Sequence, residues 1–151
     1  MSFWNMLRIG SSALSAQRLR LDLISNNIAN IETTHTEAGG PYRRQDVRFQ
    51  AVESGGGFRS LIKARLSGRL QAADETGGVK VSEILEDDRP GPRVYDPAHP
   101  DADEEGYVEY PNVDLAVEMT NMLSATRSYE ANLTVINAAK RMALKSLEIG
   151  K

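Results

Sequence analysis

The sequence predicts an α+β chain in which long N- and C-terminal helices pair as a coiled-coil-like stalk and a small β-rich domain lies between them. Two observations carry this. All six prolines fall between Pro41 and Pro111, and ten of the twelve glycines fall between Gly39 and Gly106, so both ends are free of proline and hold one glycine each. The ends also carry apolar residues at helical spacing. Leu7, Leu14, Leu21 and Ile28 repeat every seven residues, and Leu115, Met119, Met122, Thr126, Tyr129, Leu133, Ile136, Lys140, Ala143 and Leu147 alternate steps of four and three. Eight of those ten are apolar or aromatic. The predicted division is residues 1–31 as an N-terminal assembly helix, 32–111 as the β-rich middle, and 112–151 as a C-terminal assembly helix.

The first helix is expected to start near Ser2, a potential N-cap, and to run to about Asn30. Gly10, Ser11, Ser12, Ala13, Ser15 and Ala16 give it a stretch of small side chains that another helix can approach closely. Asn26, Asn27 and Asn30 lie within five residues of each other, and asparagine amides compete with the helical backbone, so the helix should loosen or end there. Asn26 and Asn30 are four apart and share a face, able to bond a neighbouring chain or the backbone groups freed at the helix end.

After a linker from Glu32 to Gly40 the period changes to two. Tyr42 to Val52 reads as a strand with Val47, Phe49 and Ala51 on one side. Residues 62–70 read as a second strand, with Ile62, Ala64, Leu66 and Leu70 opposite a basic face of Lys63, Arg65 and Arg69, and Gly55-Gly56-Gly57 separates the two. Val79 to Leu85 forms a third run. Arg93-Val94-Tyr95 is a short extended piece, and Gly106 to Tyr110 is a last strand before Pro111. Asn112 or Asp114 caps the second helix and Gly150 lies just past its end. Asp114 and Glu118 near its start, and Lys140, Arg141 and Lys145 near its end, suit the helix dipole.

At 1.5 Å per residue the two helices would be rods of roughly 40 and 55 Å, too long for a middle of about 75 residues to cover. Uncovered apolar faces call for partner chains, which favours assembly over catalysis. Hydrophobic residues make up 40% of the chain but aromatics only 6%, so its core is aliphatic and modest, unlike the surround of a deep enzyme cleft. The net charge is −3 but unevenly spread: residues 36–73 carry +4 and residues 74–111 carry −9. Neither end supplies the basic stripe that nucleic acid would want. With no cysteine there is no disulfide framework or thiolate metal site. No apolar run is long enough to span a membrane, and Arg8, Arg18, Arg20 and Asp22 interrupt any candidate signal peptide.

Motifs that suggest chemistry do not hold up. Ser60-Leu61-Ile62-Lys63 has the spacing of some serine acyl-enzymes, but it opens a strand and has no companion motifs. Asp101, Asp103, Glu105 and Gly106 match the start of a calcium-loop template, yet its twelfth place is Asn112, and Pro97 and Pro100 exclude the entering helix. His35 and His99 are expected to be exposed, and Asp87-Asp88 and Glu104-Glu105 to be surface charge. No cofactor is expected.

Three stretches together resemble the bacterial flagellar rod and hook family. Leu14-Ser-Ala-Gln17 through Ser25-Asn-Asn-Ile-Ala-Asn30 resembles its N-terminal signature, with Asn26, Ala29 and Asn30 on the signature's core and Asn27 and Ile28 in its variable places. Leu123-Ser-Ala-Thr-Arg-Ser-Tyr-Glu-Ala-Asn132 resembles the C-terminal signature, whose R-x-Y-x-A-N element falls on Arg127, Tyr129, Ala131 and Asn132. Gly77 to Val81, Tyr95-Asp-Pro97, Pro100, Ala102-Asp103, Gly106-Tyr-Val108 and Pro111-Asn-Val-Asp114 are similar to a proximal-rod member of that family. Residues between Glu53 and Asp74 depart from the pattern.

The resemblance implies a structural subunit without enzyme activity. It would be exported unprocessed by the flagellar type III apparatus and stack helically with copies of itself and other rod proteins across the periplasm, carrying torque from motor to hook. The assembly interface expected from seams and signatures together comprises Leu7, Leu14, Leu21, Ser25, Asn26, Asn27, Ile28, Ala29, Asn30, Met119, Met122, Arg127, Tyr129, Asn132, Leu133 and Ile136. The competing readings are a helical adaptor or membrane-surface module, using Phe3, Trp4 and Leu7 with Arg18 and Arg20, and a periplasmic peptidoglycan-modifying enzyme using Ser60, Asp87 or Asp101.

Overall fold

The computed structural model describes residues 3–52 and 77–149; the sequence-predicted strand at 62–70, the Gly55–Gly57 turn, Ser60, Ser2 and Gly150 lie outside them. The order of elements is α1 (Phe3–Ala29), β1 (Gln45–Val52), β2 (Gly78–Glu86), β3 (Arg93–Tyr95), β4 (Tyr107–Glu109) and α2 (Leu115–Ile149). The fold is therefore α+β with a long helix at each end, as the proline and glycine distribution predicts. Strands β1 and β2 form one two-stranded sheet, and β3 and β4 form another.

Both helix boundaries have local causes. Asp114 is the N-cap of α2: its Oδ1 accepts the N–H groups of Ala116 at 2.8 Å and Val117 at 3.1 Å, which the first turn would otherwise leave unpaired. Asn112 donates to Asp87 instead. At the end of α1 the asparagines do what their chemistry favours. Asn30 donates through Nδ2 to the Asn26 carbonyl at 2.9 Å, and its Oδ1 accepts from the Thr33 hydroxyl at 3.2 Å, so the side chain satisfies groups that the ending helix frees.

Strand β1 begins at Gln45 rather than at Tyr42. The reason is that the Tyr42 N–H bonds to the Thr33 carbonyl at 3.0 Å, which holds that residue in the loop after α1. Strand β4 is likewise shorter than expected, because Gly106 (φ 82°) turns the chain where the ring of Tyr95 and Pro97 leave no room for a Cβ. Its register sets Arg93 opposite Glu109, Val94 opposite Val108 and Tyr95 opposite Tyr107.

The chain divides into two compact units. One draws on the described parts of Met1–Arg18, Phe49–Ser82 and Arg127–Lys151. Here the small-residue stretch of α1 is a place of close approach. A Cβ on Gly10 would stand 2.7 Å from Cγ1 of Ile136, and the Ser12 hydroxyl accepts the Val79 N–H at 3.1 Å. Ala16 and Ala139 are buried in this unit.

The other unit comprises Leu19–Arg48 and Glu83–Thr126. Its core holds Leu23 and Ile24 of α1, Val108 of β4 and Ala125 of α2, with Asn27 and Glu118 buried among them. Gly91 is obligatory, since a Cβ there would meet the Tyr110 carbonyl oxygen at 1.8 Å.

Candidate assembly interface

On α2 the row of residues withdrawn from solvent runs Glu118, Met122, Ala125, Tyr129, Asn132, Ile136, Ala139 and Ala143, buried or half-buried at steps of four and three. It shares Met122, Tyr129, Ile136 and Ala143 with the seam read from apolar spacing. Its alternate members lie one residue earlier, at 118, 125, 132 and 139 instead of 119, 126, 133 and 140. Those positions hold glutamate, alanine, asparagine and alanine, so the covered row is small and polar at every second place. Leu115, Met119, Leu133 and Leu147 of the apolar seam stay in solvent, Met119 with 59% and Leu147 with 71% of its surface open. Leu123, Val135, Met142 and Leu144 are exposed as well.

The four-residue row on α1 behaves similarly. Leu7, Leu14, Leu21 and Ile28 are each half-buried, while Ala16, Leu23, Ile24 and Asn27 are buried. Ser25, Asn26 and Ala29 are exposed and Asn30 is half-buried; on α2 Arg127 is exposed. The sixteen expected interface residues thus fall into two groups. Asn27 is fully enclosed by its own unit, and the others keep some surface open to a neighbour.

Asn27 anchors a buried polar network. Its Oδ1 accepts the Gln45 N–H and the Tyr42 hydroxyl, both at 2.9 Å, and its Nδ2 donates to the Gln45 carbonyl at 2.8 Å and to Glu118 Oε2 at 3.1 Å. All four hydrogen-bonding places of the amide are filled. Glu118, with 0% of its surface exposed, is held through Oε1 by Arg44, whose Nε lies at 2.9 Å, and by Asn121 Nδ2 at 3.3 Å. A second guanidinium nitrogen of Arg44 also lies 2.9 Å from Oε1. A carboxylate so deeply buried is tolerable only when paired and hydrogen-bonded in this way.

The electrostatics of the surrounding groups follow. Burial opposes the Arg44 charge, but the hydrogen bond and charge of Glu118, with help from Asp46, hold its pKa above the ordinary arginine value. Burial, then the charges of Glu86 and Glu118, push the Tyr42 phenol up. Sequence reading assigned Glu118 to the helix dipole and gave Arg44 no role. The return of polar or small residues at 118, 125, 132 and 139 marks the covered row of α2, but no spacing in the sequence pairs Glu118 with Arg44.

Other candidate residues are accounted for locally. Asp103 accepts the N–H groups of Tyr107 at 2.8 Å and Glu105 at 2.9 Å and pairs with Arg93; these bonds close the 101–106 turn and, the Tyr107 N–H foremost, hold its carboxyl below the usual range against some burial. Among the described residues no group of three or more His, Asp or Glu side chains is placed to hold a metal ion. His99 is half-buried, not exposed, because its Nδ1 accepts the Asp101 N–H at 3.1 Å. Asp87 is also half-buried and clasped by Arg89, which donates from Nε at 2.9 Å. No described helix is long and apolar enough to cross a membrane.

Comparison with known proteins bears directly on this arrangement. The model described as "Flagella basal body rod protein" matches residues 7–34, nearly all of α1 and the turn after it. The model described as "Flagellar basal body rod FlgEFG protein C-terminal" matches residues 104–149, which is β4 and the whole of α2. The flagellar basal-body rod protein FlgC of Bacillus subtilis is 48% identical over 155 residues, covering 100% of both chains. The chain belongs to the flagellar basal-body rod proteins of the FlgC type. FlgC of Borreliella burgdorferi is 44% identical over 99% of this chain and 98% of its own, and that of Escherichia coli O157:H7 is 40% identical over 100% of each. Rod-protein matches thus fall on the two helices that carry the covered polar row and the open apolar one, and the chain is a structural rod subunit.

Proposed function

We propose that this rod protein is a subunit of the proximal rod, stacking helically with copies of itself and with other rod proteins to transmit torque from motor to hook. Residues 1–31 and 112–151 act as assembly helices in the inner layer, and residues 32–111 lie outside them. The subunit travels through the flagellar export apparatus without a cleaved signal peptide, spans the periplasm as part of the rod, and catalyses no reaction.

One observation carries the reading: α2 places small or polar residues at every second position of its covered row and leaves Leu115, Met119, Leu133 and Leu147 in solvent. Each such side chain contributes about 1.5–3 kcal/mol when buried, offset by the entropy of ordering the helices. An apolar stripe that the protomer does not use is available for neighbours.

The test is Leu133→Asp in the full-length chain. Rod incorporation and motility should be lost while the far-ultraviolet circular dichroism of the soluble chain stays as in wild type. Normal motility would refute the assignment. Leu21→Asp should also abolish incorporation, but Leu21 is half-buried and its substitution disturbs the fold too.

A further inference from the structure

The face of the β3–β4 hairpin that carries Tyr95 and Tyr107 is open. The two rings meet edge to face with centroids 5.3 Å apart, and Arg93 lies over the Tyr107 ring at 5.2 Å. That guanidinium is satisfied, since it also pairs with Asp103. Tyr95 is different: 63% of its surface is exposed and no cation lies over its ring among the described residues. Its ring lies against Gly106, and the side chains of the two residues before that glycine, Glu104 and Glu105, have no hydrogen-bond or ion-pair partner among the described residues and are exposed. An aromatic platform with spare negative charge suits an arginine-bearing segment, because guanidinium groups stack on rings and pair with carboxylates at once.

The chain contains such a segment. Between Glu53 and Asp74 there are four cations, Arg59, Lys63, Arg65 and Arg69, and no acid, and apolar residues alternate with the basic ones from Ile62 to Leu66. One basic stretch and one acidic stretch on the same polypeptide are complementary between copies, and unlike patches that meet head to tail propagate into open helical stacks. Resting on the rod-subunit reading, we propose that the β3–β4 hairpin of one copy is the docking seat for the Arg59–Arg69 segment of a second copy. An arginine of that segment stacks on Tyr95, and its neighbours pair with Glu104 and Glu105.

The test exploits the absence of cysteine. Full-length Lys63→Cys and Glu104→Cys chains, differently tagged, are co-expressed, and their assembled rods are oxidised. Disulfide formation between the two tags is expected, falling as salt is raised to about 0.5 M, where exposed charges are screened within a few ångströms. In parallel, Arg59→Glu with Arg65→Glu should lower incorporation about tenfold, the size of effect a few exposed ion pairs give together, and Glu104→Lys with Glu105→Lys should restore it.

The proposal is overturned if assembled rods give no link between tags, if a doubly substituted chain links only within itself, or if the reversed-charge chain incorporates normally. Leu133→Asp separates the two levels. If it blocks assembly while the charge variants assemble freely, the docking seat falls and the rod subunit stands; if it assembles normally, the rod reading falls.

Discussion

The covered row of α2 holds Glu118, Ala125, Asn132 and Ala139 at alternate places, whereas the open side of the same helix holds Leu115, Met119, Leu133 and Leu147. Burial normally follows hydrophobicity, so the inversion is informative. The inward side uses small residues for close approach and a saturated polar network that tolerates one register. A helix shifted by a residue would leave the Glu118 carboxylate or the Asn27 amide without partners, at a cost far above that of moving one leucine. The outward side is generic and apolar, suited to associations that form after the protomer has its shape. Specificity sits inside, and the proposed association surface lies outside.

The sharpest way to break this division is on the open side. Met119→Asp combined with Leu133→Asp should remove rod incorporation altogether, because each copy loses apolar burial and must desolvate carboxylates, together at least about 3–5 kcal/mol per copy. Thermal unfolding of the soluble chain should hardly change. If the melting curve collapses instead, the open side belongs to the protomer's own core.

On the covered side the expected pattern reverses. Glu118→Ala removes the buried partner of Arg44, leaving it Asp46 alone, frees one Asn27 donor, and should cost about 3–5 kcal/mol in chemical denaturation of the full-length chain. Glu118→Gln keeps the hydrogen-bonding shape and should cost less. Equal losses would mean that charge alone matters and shape does not.

Asn27→Ala should be smaller, about 1–3 kcal/mol, since it leaves the Gln45 backbone groups and Glu118 Oε2 unsatisfied while the Arg44–Glu118 pair stays closed. Asn26→Ala, at the exposed position immediately before it, should stay within about 0.5 kcal/mol. A similar loss at both would show that helix termination, and not the network, sets the value of this segment.

The smallest effect concerns acid. Arg89 hydrogen bonds, first through its side chain and then its backbone, lower Asp87 to about 2, and the Tyr107 N–H lowers Asp103. Groups depressed in the folded state stabilise it above the unfolded carboxylate value, near 4, and lose that contribution as pH falls through the folded one. Near-ultraviolet circular dichroism of the tyrosines should therefore change modestly between about pH 4 and pH 2. Asp103→Asn should flatten the change at the hairpin, and an unchanged titration would remove Asp103 as its cause.

Much of the fold was written locally. Asp114 caps α2 because a carboxylate beside free N–H groups needs no distant partner, and Asn30 closes α1 for the complementary reason. The strand Gly78–Glu86 follows from the alternating Val79 and Val81 after Gly77, and the two short extended pieces 93–95 and 107–109 are also local, though their pairing across residues 96–106 is not. The candidate interface was legible only in part, because helical periodicity identifies an apolar side but neighbouring positions differ by about 100° around the axis, and apolar residues occupy both.

The sequence by itself determined where α1 ends and where α2 begins, and how the acid is distributed. Those properties depend on near neighbours and composition. Only the tertiary structure decided which of two adjacent rows on α2 is covered and that Glu118 meets Arg44, 74 residues away. A salt bridge between distant segments leaves no periodic mark, since its energy depends on the fold having already brought the partners together and excluded water.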